Sequence, residues 1–138
     1  MHYNEWKLTG NGTRVGKYLQ FCQQNGETVD LSGADLRLKN LGRANLSGAN
    51  LAETDLSGAS LAETDLSRAS LSYADLSGAS LSGATLIRAD LSMTDLREAT
   101  LTGADLSYAN LSGSNLTGAI MAGAIMAGAN LTNVKYSN

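Results

Sequence analysis

No proline occurs anywhere in the 138 residues, and there is only one cysteine, Cys22. A lone thiol excludes an intrachain disulfide and suits a reducing compartment, so the expected location is the cytoplasm. Aromatic side chains are nearly absent: Trp6, Phe21 and five tyrosines. Hydrophobic residues make up 43% of the chain, yet almost all are Ala and Leu, which is too little bulk for an ordinary globular core. Charge is also scarce. Ten basic and 13 acidic residues leave a net charge of −3, which gives no basis for direct binding to nucleic acid or a membrane surface. Long apolar runs are missing, so no transmembrane helix is expected. Residues 1–12 lack the basic and apolar regions of a secretory signal. The length suits a single domain.

What the chain has instead is a period. Leucine stands at Leu31 and at every fifth residue to Leu116, and Met121, Met126, Leu131 and Tyr136 continue the register. With each of these 22 centres called i, position i−2 is Ala in 15, and i−1 is Asp in 8 and Asn in 6. Ser dominates i+1 and Gly fills i+2 in 10. An α-helix advances ~100° per residue, so leucines five apart would scatter around it. A strand alternates faces with period two, and five is odd. Within one repeat, Ala34-Asp35-Leu36 reads in-out-in as a short strand, and pairs such as Ser47-Gly48 and Ser57-Gly58 read as corners. A chain that turns in one sense every five residues makes a coil with Ala and Leu inside, and successive coils stack ~4.8 Å apart.

The motif Ala-(Asp/Asn)-Leu-x-x, as in Ala34-Asp35-Leu36-Arg37-Leu38 and Ala104-Asp105-Leu106-Ser107-Tyr108, resembles the pentapeptide repeat proteins, over about residues 29–138. The resemblance implies an all-β solenoid: a right-handed quadrilateral parallel β-helix with four pentapeptides per coil, hence about 5.5 coils and roughly 26 Å of length. It divides the chain into an N-terminal cap, 1–28, and the repeats, 29–138. Proline would remove a backbone donor from such a stack. A small i−2 residue shares the narrow interior with Leu, and a larger one would overpack it by ~1–3 kcal/mol. Lys39 breaks that rule. Its ammonium either snorkels out or the first turn bulges; the bulge is the expectation, with Leu38 covering the gap.

A solenoid needs its ends closed. Residues 14–25 read as a short helix with Val15, Leu19 and Cys22 on one face, Thr13 as N-cap and Gly26 as stop, covering the bottom of the first coil. Trp6 and Leu8 are expected to pack there, on an added strand. At the other end Ile120 and Ile125 occupy i−1, an outward position. Together with Tyr136 they make a candidate end-to-end contact between two copies; the alternative is that Tyr136 and the tail cover the end.

Faces recur every 20 residues, so columns can be read directly. Asp35, Asp55, Asp75 and Asp95 stack in one column, ending in Asn115. They form either an acidic stripe for a basic partner or the family's structural choice, bonding nearby backbone; Arg37 and Arg97 beside them partly neutralise it. The opposite face carries Asn45, Asp65, Thr85 and Asp105, with Arg68, Arg88, Ile87, Tyr108 and Ile125 near it. Ile87, Arg88, Tyr108 and Ile125, joined by Tyr73 and Met93 on a neighbouring face, make the candidate protein interface, against a background of ordinary scattered surface hydrophobes. A third face, with Asn40, Ser60, Ser80 and Thr100, is nearly uncharged. Only Thr100-Leu101-Thr102 shows the paired threonines that a water-ordering, ice-binding surface would want.

Nothing points to catalysis. His2 is the only histidine and lies at a terminus expected to be mobile. Cys22 has no histidine partner near in sequence and reads as core. No zinc-ligand cluster, Walker loop or dinucleotide fingerprint occurs, and the glycines follow the five-residue register. No cofactor or metal is expected. The leading expectation is a rigid, non-enzymatic scaffold that binds an unidentified protein through its outer faces. The alternative implied by the resemblance is mimicry of duplex DNA to bind DNA gyrase, as in quinolone resistance. Against it, the repeats hold eleven acidic and seven basic residues, whereas duplex DNA would carry about 15 charges over the same span.

Overall fold

A five-residue period must satisfy five backbone amides per repeat, and the structure shows where each goes. The computed structural model describes residues 1–4 and 15–137. In the pentapeptide Thr54–Gly58, Thr54 N–H closes a turn onto Leu51 O (3.2 Å) and Asp55 N–H donates back to Ala34 O (3.0 Å). Leu56 and Gly58 N–H donate forward to Asp75 O (2.8 Å) and Ser77 O (2.9 Å). The fifth amide, Ser57 N–H, donates to the Asp55 side chain, Oδ1, at 3.1 Å. Where i−1 is Asp or Asn, that residue supplies the acceptor the backbone lacks. Every donor is used, which accounts for the missing proline.

The bridged residues are the i−1 positions, each paired in parallel with the residue 20 further on, from Asp30↔Asn50 to Asn115↔Lys135. Four pentapeptides therefore make one turn, and four ladders run along the molecule. The in-out-in segments are not strands of any length; each contributes one bridged residue before the chain turns again. Inside, every centre leucine from Leu31 to Leu116 is buried, with Ala packed beside it in most repeats.

Three threonines at i−2 keep the interior polar group satisfied: Thr54, Thr64 and Thr94 donate to Leu31, Leu41 and Leu71 carbonyls at 2.8–2.9 Å. Ser114 occupies the same position, fully buried, with its hydroxyl unpaired. A buried polar group without a partner is costly. Ser114→Ala is expected to stabilise the protein by about 1 kcal/mol, and Thr94→Ala to destabilise it, measured by urea unfolding.

The corners have a uniform backbone. At i+2, glycine and non-glycine residues alike take φ between 57 and 73°, Glu53, Tyr73 and Arg88 included. A turn with positive φ at its third residue favours glycine. Gly78 has open space where a Cβ would stand, so Gly78→Ala isolates the backbone term, with an expected loss of about 1 kcal/mol. Large residues at i+2 lean onto the next coil, where glycine makes room: Leu38 over Gly58, Met93 over Gly113, Glu98 over Gly118 and Tyr108 over Gly128.

Lys39 does not cause a bulge. Its N–H and carbonyl keep the register, to Leu36 O at 3.1 Å and from Ser60 N–H at 2.9 Å, and Asn40 still bridges Ser60. The side chain is exposed. An unpaired ammonium is too costly in an apolar interior, and in the first coil it reaches water past the edge without breaking a ladder. Leu38 covers nothing inside; it is 81% exposed on its corner.

Helix α1 spans Val15–Asn25. Gly26 at φ 64° ends it, with Glu27 N–H on Cys22 O (2.9 Å) in the Schellman manner. Its buried face is Val15, Tyr18 and Cys22, with Leu19 only half-buried. The expected N-cap Thr13, Arg14, and the packing expected of Trp6 and Leu8 lie outside the described residues. Tyr18 is the residue that composition alone did not single out. Its hydroxyl accepts Asp30 N–H (3.0 Å) and approaches Met1 O (2.7 Å) and Asp30 O (3.2 Å). Tyr3 N–H also donates to Asp30 O (3.0 Å), and the two tyrosine rings stand 5.2 Å apart. Burial pushes the Tyr18 hydroxyl well above its ordinary pKa.

Candidate functional site

The outer surface is built from i−1 side chains on the four ladders and i+1 and i+2 side chains on the corners. The structure sets Asp35, Asp55, Asp75 and Asp95 directly above one another, with Asn115 and Lys135 beyond. These carboxylates are already engaged. Each accepts the amide two residues on, at 2.9–3.2 Å, and Asp55 and Asp75 also accept a serine hydroxyl. Arg37 grips Asp35 at 2.8 and 2.7 Å and comes within 3.7 Å of Asp55; Arg97 grips Asp95 in the same way.

The Arg97 hydrogen bond holds the Asp95 carboxyl below the usual range. A lowered folded-state value contributes stability at neutral pH that is lost as pH falls through it, below about 4. Arg97→Gln is therefore expected to lower the urea midpoint at pH 7. The gap to the parent should close on acidification. Asp105 is likewise lowered, by bonds from the Ser107 hydroxyl and amide.

On the corner after the ladder of Asn45, Asp65, Thr85, Asp105 and Ile125, the structure joins Arg88 to Tyr108: the guanidinium carbon lies 5.7 Å from the ring centroid. Tyr108 is 63% exposed, and Ile87, half-buried, precedes Arg88. Ile125 bridges Asp105 on the adjacent ladder and is exposed. Tyr73 and Met93 share another corner, one coil apart, both exposed. Ile120 and Ile125 fall on neighbouring ladders of the last coil, and Tyr136 beyond them is exposed too. The inward residues Met121, Ala124, Met126, Ala129 and Val134 are only half-buried there, and Leu131 is exposed. Single-residue reading had not signalled this, nor the pairing of large corner side chains with glycine 20 residues later, which column-by-column reading would have found.

His2 is held rather than mobile. Its ring lies 2.7 Å from Ser32 O and accepts Asn4 N–H, because the N-terminal segment is docked against the first coil. Among the described residues no three of His, Cys, Asp or Glu converge as metal ligands, and no helix is long and apolar enough to cross a membrane.

Pentapeptide repeats match residues 28–62, 40–72, 64–103 and 99–135. The chain is a pentapeptide repeat protein. Proteins of this family form right-handed quadrilateral β-helices, and the four parallel ladders with a 20-residue turn are that architecture seen in this chain. The pentapeptide repeat protein alr5209 from Nostoc PCC 7120 is similar at 36% identity over 71% of this chain and 78% of that one, with a TM-score of 0.64. Rfr23 from the cyanobacterium Cyanothece 51142 is 27% identical over 94% and 99%, with a TM-score of 0.45. QnrB1, a plasmid-mediated fluoroquinolone resistance protein, is 22% identical over 80% and 73%, with a TM-score of 0.37. No curated protein matches the chain.

Proposed function

We propose that this pentapeptide repeat protein is a non-enzymatic scaffold that binds another protein through its outer faces. In this reading it is a right-handed β-helix of about 5.5 coils, closed at its N-terminal end by α1, and it works in the cytoplasm without direct contact with nucleic acid or membrane. The observation that carries the reading is the exposed Arg88–Tyr108 stack beside Ile87, set on a backbone whose amides are almost wholly committed to ladders and turns. Such a surface is rigid before binding, so little ordering entropy opposes association. Exposed Tyr and Arg are the side chains that dominate interface energetics. The acidic column supports a structural role, since its carboxylates serve their own corners and two arginines.

The test compares affinity capture by the parent with capture by Ile87→Ser, Tyr108→Ser, Ile125→Ser combined. A partner lost only in the variant supports the reading and fixes the face. A partner retained by both moves the interface to the Asp35–Asp95 column or the Tyr73–Met93 corner. A second contact, between two copies through the last coil, is favoured by the exposed Ile120, Ile125 and Tyr136 around a half-buried interior. Sedimentation of the parent against Ile120→Ser checks it: a dimer that dissociates in the variant is the expected result.

A further inference from the structure

Five arginines fall among the described residues, and three are ion-paired: Arg37 with Asp35 and Asp55, Arg43 with Glu63, Arg97 with Asp95. Arg68 and Arg88 are different. They stand in one corner column, one coil apart, so their Cα atoms are ~4.8 Å apart along the axis. Neither has a described carboxylate oxygen within ion-pair distance. Arg88 instead lies over the Tyr108 ring, at 5.7 Å. A guanidinium stacked on a ring keeps the N–H donors of its edge free for a carboxylate. Tyr108 is itself braced, its ring passing over Gly128 where a Cβ would meet Cδ1 at 2.6 Å.

The two arginines border a shallow depression of about 530 Å³ whose other walls include Ser47, Gly48 and Ile87. Asp65 also lines it, but its Oδ1 is turned to the amide and hydroxyl of Ser67. Gly48, one coil before Arg68 in the same column, has nothing within 4 Å of a Cβ position, so the approach along the corner is open.

We propose that this corner binds an acidic, extended segment of a partner protein. Two carboxylates of the segment meet the Arg68 and Arg88 edges, and an apolar side chain lies on Ile87. Same-side residues of an extended chain are ~6.7 Å apart, a spacing that two long arginine side chains one coil apart can reach. Charge selects the occupant: these are the two unpaired guanidiniums on a molecule of net charge −3, which would repel a polyanion as large as nucleic acid but can accept a few carboxylates. The inference rests on the scaffold reading above and adds the chemistry of what is bound.

The test is fluorescence anisotropy with a short labelled peptide rich in Glu and Leu, a matched peptide with Gln for Glu, and a single-stranded oligonucleotide. The Glu peptide should bind the parent, more weakly as salt rises, and the Gln peptide should not. Arg68→Gln with Arg88→Gln should weaken binding by ~tenfold or more, as for loss of a charge-assisted pair. Arg97→Gln, on another corner, should leave it unchanged, and Tyr108→Leu should weaken it by loosening Arg88. Circular dichroism confirms that each variant keeps the solenoid. Equal binding by the double variant, an equal loss in Arg97→Gln, equal binding of the Gln peptide, or preference for the oligonucleotide overturns the proposal. So does failure of the Glu peptide to bind the parent, and that result leaves the scaffold reading standing, because the capture comparison tests it separately.

Discussion

Leu76→Ala should destabilise the protein by about 2–5 kcal/mol, measured as a shift in the urea midpoint. Leu76 is fully buried in the middle of the stack, with coils above and below. Its interior is a single file of Leu and Ala held at fixed spacing by the ladders, so neighbouring coils cannot close in on the space left behind. The cost should therefore fall in the upper part of that range. Leu131→Ala provides the contrast. Leu131 is 38% exposed in the last coil, and its truncation should cost well under 1 kcal/mol. Equal effects at the two sites would mean that the last coil is covered in solution, which would strengthen the contact between copies.

Tyr18 governs the other end. Tyr18→Phe removes only the hydroxyl, which leaves Asp30 N–H without its acceptor; the expected loss is about 1–3 kcal/mol. Tyr18→Ala also removes the ring that packs on Tyr3, raising the loss to about 3–5 kcal/mol. Because a solenoid couples only neighbouring turns, the damage should be local. Hydrogen exchange should show faster exchange at Leu31 and Leu36 in Tyr18→Phe and no change near Leu96 and Leu101. A uniform loss of protection would mean that the whole stack unfolds as one unit.

Most of the fold was legible because one constraint repeats. The five-residue period excludes helix and strand, and the column composition at i−2, i−1 and i+2 fixes which side chains face in, bond the corner or take the positive φ. Single departures were harder to read. Lys39 suggested a bulge because composition cannot weigh a continuous hydrogen-bond ladder against one misplaced ammonium; the ladder wins. Tyr18 was missed because its role depends on what the first coil leaves unpaired, not on helical periodicity. The surface was legible as columns: Arg88 and Tyr108 are 20 residues apart and do meet. Which arginines lack an acid was not legible, since Arg43 finds Glu63 across a coil while Arg68 finds none.

The exact match between five residues and one quarter of a turn makes this protein behave like an indexed dial. A cut of five residues anywhere in the stack preserves every inward leucine, yet rotates all that follows by one face. Tyr108 would then leave Arg88 behind and line up with a different corner. A cut of 20 residues shortens the rod by one coil and leaves every remaining side chain on its original face. Length and angular display are thus set separately, by the number of whole turns and by the remainder. A chain of this kind can change what it presents, and in which direction, without remaking its core.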